Sequence, residues 1–164
     1  MKLLASRTAQ RPLLATFAFA FNNWVSDAVS LVAETFGSTV AASTDPTQAG
    51  LTGPAAGTIV FDAVPLPVGA VITGGELIVE QAYVGPTAAT IAIGTAASPS
   101  GLLAATDIKT VARTPLLLTA PLIAADGSNV RITVAYTVAN ATAGKVRVRV
   151  QYTIDGKAEE VQIA

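Results

Sequence analysis

Apolar and polar residues alternate along much of the chain, and this alternation predicts β-strands. It is clearest between Val130 and Val138, where every second residue is apolar or aromatic. It recurs from Val146 to Tyr152, with Lys145, Arg147 and Arg149 among the intervening positions. A period of two places successive side chains on opposite faces of a strand. We therefore predict that these three cations form a basic stripe on the outer face of a sheet.

Six further segments are predicted as strands: Leu13–Phe21, Thr58–Val64, Ala70–Tyr83, Ala88–Ile93, Pro115–Ile123 and Ala158–Ile163. Within them, Gly74-Gly75 indicates a bulge, and Pro115 and Pro121 indicate an edge strand. Residues 96–113 are interpreted as a loop with one helical turn around Leu102–Thr106. Asp155-Gly156 is a two-residue hairpin signal. About eight short strands separated by Gly/Pro turns predict an all-β, antiparallel, jelly-roll-like β-sandwich whose last strands form a meander.

Two regions depart from this pattern. Residues 1–11 show no period and are interpreted as an extended N-terminal arm, which leaves 12–164 as the sandwich domain. Residues 25–57 are predicted to be an insertion or long loop. Within that region, residues 25–36 carry apolar positions at both helical and strand spacing, so helix and strand stay open for them.

Composition limits the partners and the class of protein. The chain has 164 residues, of which 51% are hydrophobic and 13% charged, with a net charge of −1. It is long and apolar enough to bury its own core, and its composition excludes a disordered chain. The near-neutral charge does not favour nucleic acid or a membrane surface as a partner. A signal peptide is the alternative interpretation of residues 1–21, but the alternation from Leu13 to Phe21 favours a strand.

Candidate catalytic chemistry is sparse. The chain contains no cysteine and no histidine, which removes disulfides, thiolate nucleophiles and every histidine-based triad or metal site. On one strand, Glu76 and Glu80 would lie roughly 13 Å apart, too far for retaining glycoside hydrolysis. We therefore expect no enzyme activity, no catalytic residue, no cofactor and no metal.

The remaining candidates are interface residues. The arm offers Lys2, Leu3, Leu4, Arg7 and Arg11 to a neighbouring subunit or a larger surface. Trp24 is either an interface anchor or a core residue at one end of the sandwich. Arg147 and Arg149, within the basic stripe, face either solvent or a partner.

Several segments, taken in order, resemble a known family. They begin with Leu14-Ala-Thr-Phe-Ala-Phe-Ala-Phe21 and continue with Thr58-Ile-Val-Phe-Asp-Ala-Val-Pro-Leu-Pro-Val-Gly-Ala-Val-Ile-Thr-Gly-Gly-Glu-Leu77. Ala89-Thr-Ile-Ala-Ile-Gly94 and Leu103-Ala-Ala-Thr-Asp107 follow, and Ala141-Thr-Ala-Gly-Lys-Val-Arg-Val-Arg-Val-Gln-Tyr152 ends the series. Together they resemble small virion structural proteins of tailed bacteriophages, the capsid decoration (cement) proteins. Thr95 stands where relatives often have Asp, so a role of that Asp does not carry over.

This resemblance implies a β-sandwich that binds the major capsid protein on the outside of the phage head and stabilises the shell, commonly as a homotrimer. The alternative is a tail- or fibre-associated virion protein that binds glycans. Both readings place the protein in the virion, and neither requires nucleic acid, a membrane or a cofactor.

Overall fold

The computed structural model describes residues 12–29, 31, 33–37, 57–118, 123–124, 129–137 and 141–154. Within these ranges it contains eleven β-strands and no helix. The strands are β1 (Leu13–Ala20), β2 (Trp24–Ser26), β3 (Ala33–Thr35), β4 (Gly57–Pro65), β5 (Ala70–Val84), β6 (Ala88–Gly94), β7 (Leu103–Asp107), β8 (Arg113–Pro115), β9 (Ile123–Ala124), β10 (Asn129–Thr137) and β11 (Ala143–Ile154).

Two antiparallel sheets enclose the core. The first has the order β1-β11-β5-β8, and β9 also pairs with β5. The second has the order β4-β10-β6-β7, while β2 and β3 form a separate hairpin. The predicted all-β antiparallel sandwich is confirmed, whereas its jelly-roll connectivity and extended arm stay predictions.

The core lies between the inward faces of the two sheets. From the first sheet it receives Leu77, Val146 and Val148, and from the second Ile91 and Ile132, all fully buried. These residues occupy every second position of their strands, as the alternation requires. At one end, aromatic rings fill the space between the sheets: Phe19, Phe36 and Phe61 contact one another, and Phe17 contacts Phe19 and Phe61.

Three sequence predictions about local structure are wrong. The helical turn expected around Leu102–Thr106 is strand β7, which pairs with β6. The expected edge strand Pro115–Ile123 is not continuous: Pro115 ends β8, Ile123 begins β9, and residues 116–118 lie outside any strand. The predicted meander does not exist either, because β10 and β11 belong to different sheets. Alternation sets which face of a strand is buried, but it does not select the neighbouring strand.

The β2–β3 hairpin resolves the ambiguity over residues 25–36 in favour of strands. Phe36, directly after β3, is 1% exposed and stacks on Phe19 with ring centroids 4.2 Å apart. The region predicted as an insertion or loop therefore supplies a core residue. Its remaining part, residues 38–56, lies outside the described residues, as does the predicted strand Ala158–Ile163.

Candidate interaction surfaces

The predicted interface residues fall into two groups. Lys2, Leu3, Leu4, Arg7 and Arg11 all lie outside the described residues, so their roles stay predictions. Trp24, Arg147 and Arg149 are described, and the structure places them on two separate surfaces. Trp24 lies on the β2–β3 hairpin, whereas both arginines lie on β11, in the middle of the first sheet.

The basic stripe does lie on the outer face of its sheet, but acidic side chains of β5 accompany it. Lys145 Nζ lies 2.9 Å from Glu80, and Arg147 donates from Nε to the same carboxylate at 2.5 Å. Arg149 Nη1 lies 3.3 Å from Glu76. The cross-strand register makes these pairs possible, because it places Arg149 opposite Glu76.

Sequence reasoning missed a fourth cation of this face, Arg113. It reaches Glu76 because β8 pairs with β5 in the first sheet, and it donates from Nε and Nη2 at 3.0 and 2.5 Å. No local pattern around residue 113 signals that pairing. We call the set Arg113, Lys145, Arg147, Arg149, Glu76 and Glu80 the basic face. Four cations against two carboxylates leave it a formal charge of +2, although the whole chain carries −1.

The cations shift the titration of both glutamates. Hydrogen bonding from Arg113, followed by the nearby charges of Arg113 and Arg149, holds the pKa of Glu76 below its ordinary value. Hydrogen bonding from Arg147, followed by that from Lys145, does the same for the pKa of Glu80. Both carboxylates are therefore ionised at neutral pH and bind cations, which is a poor state for a general acid.

A shallow groove of about 350 Å³ crosses the basic face beside Arg149. Gly75, which lines it, has a φ of +150° and allows β5 to approach β11 closely, because a Cβ at that position would lie 2.3 Å from the Arg149 carbonyl oxygen. The Arg149 Nε is buried and has no hydrogen-bond partner among the described residues. Arg113 and Arg149 outnumber Glu76 among the charged residues that line the groove, so its chemistry suits binding an anion more than catalysis.

A second groove lies at the edge of the first sheet, where β1 meets the β2–β3 hairpin. It has a volume of about 350 Å³ and is lined largely by apolar side chains: Phe17, Phe19, Trp24, Val25 and Phe36. Trp24 is 57% exposed, so the interpretation of it as a core residue is wrong. A large, half-exposed aromatic side chain beside an apolar groove is typical of an interaction surface.

Asp27 fixes the hairpin against the second sheet, a role that no sequence pattern indicated. Its carboxylate is buried and accepts hydrogen bonds from the amides of Val29 and Val60 at 2.8 and 2.6 Å. The Ala28 amide in turn donates to the Val60 carbonyl oxygen at 2.6 Å. The segment after β2 therefore covers part of the outer edge of β4 and holds Trp24 at the groove.

The described residues contain no cluster suited to binding a metal ion. No three acidic side chains come together among them in an arrangement that could hold a metal ion. No described helix is long and apolar enough to cross a membrane. Of the tyrosines, Tyr83 and Tyr136 are buried in the core, which leaves Trp24 as the principal exposed aromatic side chain of this part of the chain.

No protein-family model matches the sequence, and no curated protein matches it. Among solved structures, the fold is similar to a chain of the cyanophage Pam1 capsid asymmetric unit, with a TM-score of 0.59, 21% identity and 94% of both chains covered. It is also similar to a chain of the acid-stable capsid of the Helicobacter pylori bacteriophage KHP30, with a TM-score of 0.51, 19% identity and 87% of both chains covered. At these identities, the likeness shows a common fold.

Proposed function

We propose that this protein is a structural component of a bacteriophage virion, a decoration (cement) protein that binds the outside of the head shell and stabilises it. One observation carries the proposal: the fold matches a chain of the Pam1 capsid asymmetric unit over 94% of both chains. A likeness to a chain of a second phage capsid supports it. So does the order of motifs in the sequence, which resembles that of the capsid decoration family.

The physical basis of cementing is preferential binding to the assembled shell. A protein that binds the shell, and not the dissociated subunits, stabilises the shell by mass action, by about 2.7 kcal/mol per site at a free concentration of about 100 Kd. This mechanism needs surface area and complementary chemistry, and no catalytic residue. The ion-paired carboxylates and the absence of cysteine and histidine agree with such a role.

The proposed partners are the major capsid protein and two further copies of this chain, which together form a homotrimer. We assign the contact with the shell to the arm, residues 1–11. Burial of Leu3 and Leu4 offsets only part of the backbone entropy lost when the arm is ordered. The arm therefore also needs backbone hydrogen bonds, which it gains by adding a strand to a sheet edge of the shell or of a neighbouring subunit.

The test is binding to shells that lack the protein. Full-length protein mixed with undecorated shells should reach high occupancy and raise the temperature at which the shells open. Deletion of residues 2–11 should lower occupancy sharply and leave the sandwich folded, as judged by circular dichroism. Failure of the full-length protein to bind shells would contradict the cement role.

A second variant separates the charge of the arm from its length. With Arg7→Gln and Arg11→Gln, the arm keeps every residue that could pair as a strand. Because charges at the rim of an interface act mainly on association rate, this variant should bind more slowly and still reach full occupancy. If the deletion variant binds and protects shells as well as the full chain, the arm is dispensable.

The alternative, a glycan-binding tail or fibre protein, receives no specific support from the described surface. Glycan-binding platforms use exposed aromatic side chains, and the described residues offer mainly Trp24. Immunogold labelling of intact particles distinguishes the two locations directly. Label on the head supports the proposal, and label restricted to the tail contradicts it.

A further inference from the structure

The outer edge of β1 is open within the described part of the chain. β1 is the last strand of its sheet and pairs only with β11. The Phe21 amide donates to Gly144 on the β11 side, whereas the Ala20 amide points away and donates to the Asn23 side chain at 2.7 Å. Backbone groups of an antiparallel strand alternate in direction. The amides and carbonyls of Leu14, Thr16 and Ala18 therefore face the open edge.

This edge lacks the features that normally protect an edge strand. The sequence of β1, Leu-Leu-Ala-Thr-Phe-Ala-Phe-Ala, contains no charge and no proline, and its pairing with β11 has no bulge. At the edge of the second sheet, by contrast, Ala28 and the Asp27 carboxylate bond to the backbone of Val60 on β4. A long, apolar, unprotected edge is a template for another strand. We expect this one to be covered in the assembled protein.

The surroundings of the edge specify what covers it. On the core side, an added strand would direct every second side chain into the apolar groove beside Trp24 and Phe17. On the other side, it would lie next to the outer face of β1 and near Arg147 and Arg149, which stand opposite Ala18 and Thr16. The matching strand is therefore apolar on one face and acidic or polar on the other.

Of the long segments outside the described residues, 158–163 comes nearest to this pattern, which its last four residues follow. Its sequence, Ala-Glu-Glu-Val-Gln-Ile, places Val161 and Ile163 on one face, with Glu159 at the start of that face, and Ala158, Glu160 and Gln162 on the other. The arm carries Lys2, Arg7 and Arg11 without an acidic residue, so the basic face would repel it. Residues 38–56 are rich in glycine, proline and serine and contain a single acidic residue, Asp45.

The connection to β11 favours a second copy as the source of this strand. β11 ends at Ile154 with β1 on one side and β5 on the other, so the segment cannot fold back beside β11. In its own copy, the segment would have to cross the end of β1 and then run parallel to it. A segment from a second copy can pair antiparallel, which is the commoner arrangement.

We propose that residues 158–163 of one copy bind the open edge of β1 in the next, with Val161 and Ile163 in the groove beside Trp24 and Glu160 towards the basic face. Such a head-to-tail contact uses two different surfaces of each copy and closes into a ring when the rotation allows. It thus gives a structural route to a trimer. The contact needs no capsid, so its test is independent of the proposed function.

The first test introduces the same charged residue, aspartate, at one of two adjacent positions of the segment. Val161→Asp places a carboxylate in the apolar groove and should convert the oligomer to monomers in sedimentation velocity. Gln162→Asp places the same group towards the basic face and should leave the oligomer intact. Equal effects of the two variants, or a wild-type protein that is monomeric at micromolar concentration, would overturn the proposal.

Trp24 gives a second readout, because it is the single tryptophan of the chain. Occupation of the groove should shield it from water. Deletion of residues 155–164 should therefore shift its fluorescence to longer wavelength as the oligomer dissociates. Emission identical in the deletion variant and the full chain would contradict binding in this groove.

Cross-linking identifies the occupant, since the chain has no native cysteine. Copies with Thr16→Cys are mixed with copies with Gln162→Cys and treated with a short bismaleimide. A covalent dimer of the two variants supports the proposal. A link formed with Ser6→Cys in its place would assign the edge to the arm. A link formed only within one copy that carries both substitutions would exclude the second copy.

Discussion

At the scale of the residue, two core tyrosines with similar burial have different hydrogen bonding. The Tyr136 hydroxyl donates to the Phe36 carbonyl oxygen at 2.6 Å. The Tyr83 hydroxyl is buried and has no hydrogen bond of good geometry within the described residues, although it lies near Tyr136. Burial raises the pKa of both tyrosines, which keeps both hydroxyls protonated in solution.

Replacement of each tyrosine by phenylalanine should therefore have unequal effects. Tyr136→Phe leaves the Phe36 carbonyl without its donor and should lower the free energy of unfolding by about 1–3 kcal/mol. Tyr83→Phe removes a hydroxyl that gains little from its surroundings and should be neutral or stabilising. Urea denaturation of the two variants tests this prediction, and an equal loss for both would contradict it.

Gly144 illustrates a motif glycine whose role is structural. Its φ is +149°, and a Cβ at this position would lie 2.5 Å from the Tyr83 ring. We expect Gly144→Ala to lower the free energy of unfolding by about 2–4 kcal/mol, through backbone strain and the clash. Gly57 provides the control, because a Cβ at that position would meet no atom of the described residues within 4 Å. Gly57→Ala should change stability by less than about 0.5 kcal/mol.

At the scale of the element, a buried carboxylate, that of Asp27, anchors the β2–β3 hairpin to the second sheet. Asp27→Ala would leave the amides of Val29 and Val60 without that acceptor. It should cost about 2–4 kcal/mol and speed hydrogen exchange at the Val60 amide. Ser26→Ala, an exposed neighbour, is the control. Unchanged exchange at Val60 in Asp27→Ala would contradict this role.

The ion pairs between β5 and β11 should contribute less to the free energy of unfolding in acid. The pKa values of Glu76 and Glu80 are depressed by their cations in the folded protein. Their contribution is therefore complete above the unfolded pKa, near 4.5, and is lost as the pH falls through the lower folded values. The pKa of Asp62, lowered chiefly by its hydrogen bond from Arg131, acts with the same sign between β4 and β10.

One group opposes this trend. Burial, followed by the charge of Asp27, raises the pKa of Glu34, so its ionisation disfavours folding near neutral pH and acid relieves it. The expected net result is a fall in the free energy of unfolding below about pH 4.5, less steep in the double variant Glu76→Gln/Glu80→Gln. Urea denaturation across this pH range measures it. A profile unchanged by the double substitution would contradict the role of the two glutamates.

At the scale of the whole molecule, stability rests on the core between the sheets and on pairing across strands. The chain has no cysteine and no histidine, so neither a disulfide nor a metal site built on these residues can add to it. We therefore expect the melting temperature to be the same with and without a chelator or a reductant. Differential scanning calorimetry tests this. A fall of several degrees in the presence of EDTA would reveal a metal site that the described residues do not display.

The sequence alone determined which residues face the core. Alternation from Val130 to Tyr136 and from Val146 to Val150 predicted burial that the structure confirms. The same alternation predicted that Lys145, Arg147 and Arg149 lie on an outer face. These results follow from the period of a strand, which is a local property of the chain and needs no knowledge of its neighbours.

Only the tertiary structure decided which strands are neighbours and what that does to the surface. β10 and β11 are consecutive strands in different sheets, and Arg113 meets Glu76 across 37 positions of sequence. Asp27 meets Val60 in the same way and covers part of one sheet edge, while β1 has an open edge beside Trp24 as far as the described residues go. Strand pairing depends on long-range packing and loop closure. These are collective properties, so a pattern of single residues fixes the faces of the strands and leaves their partners open.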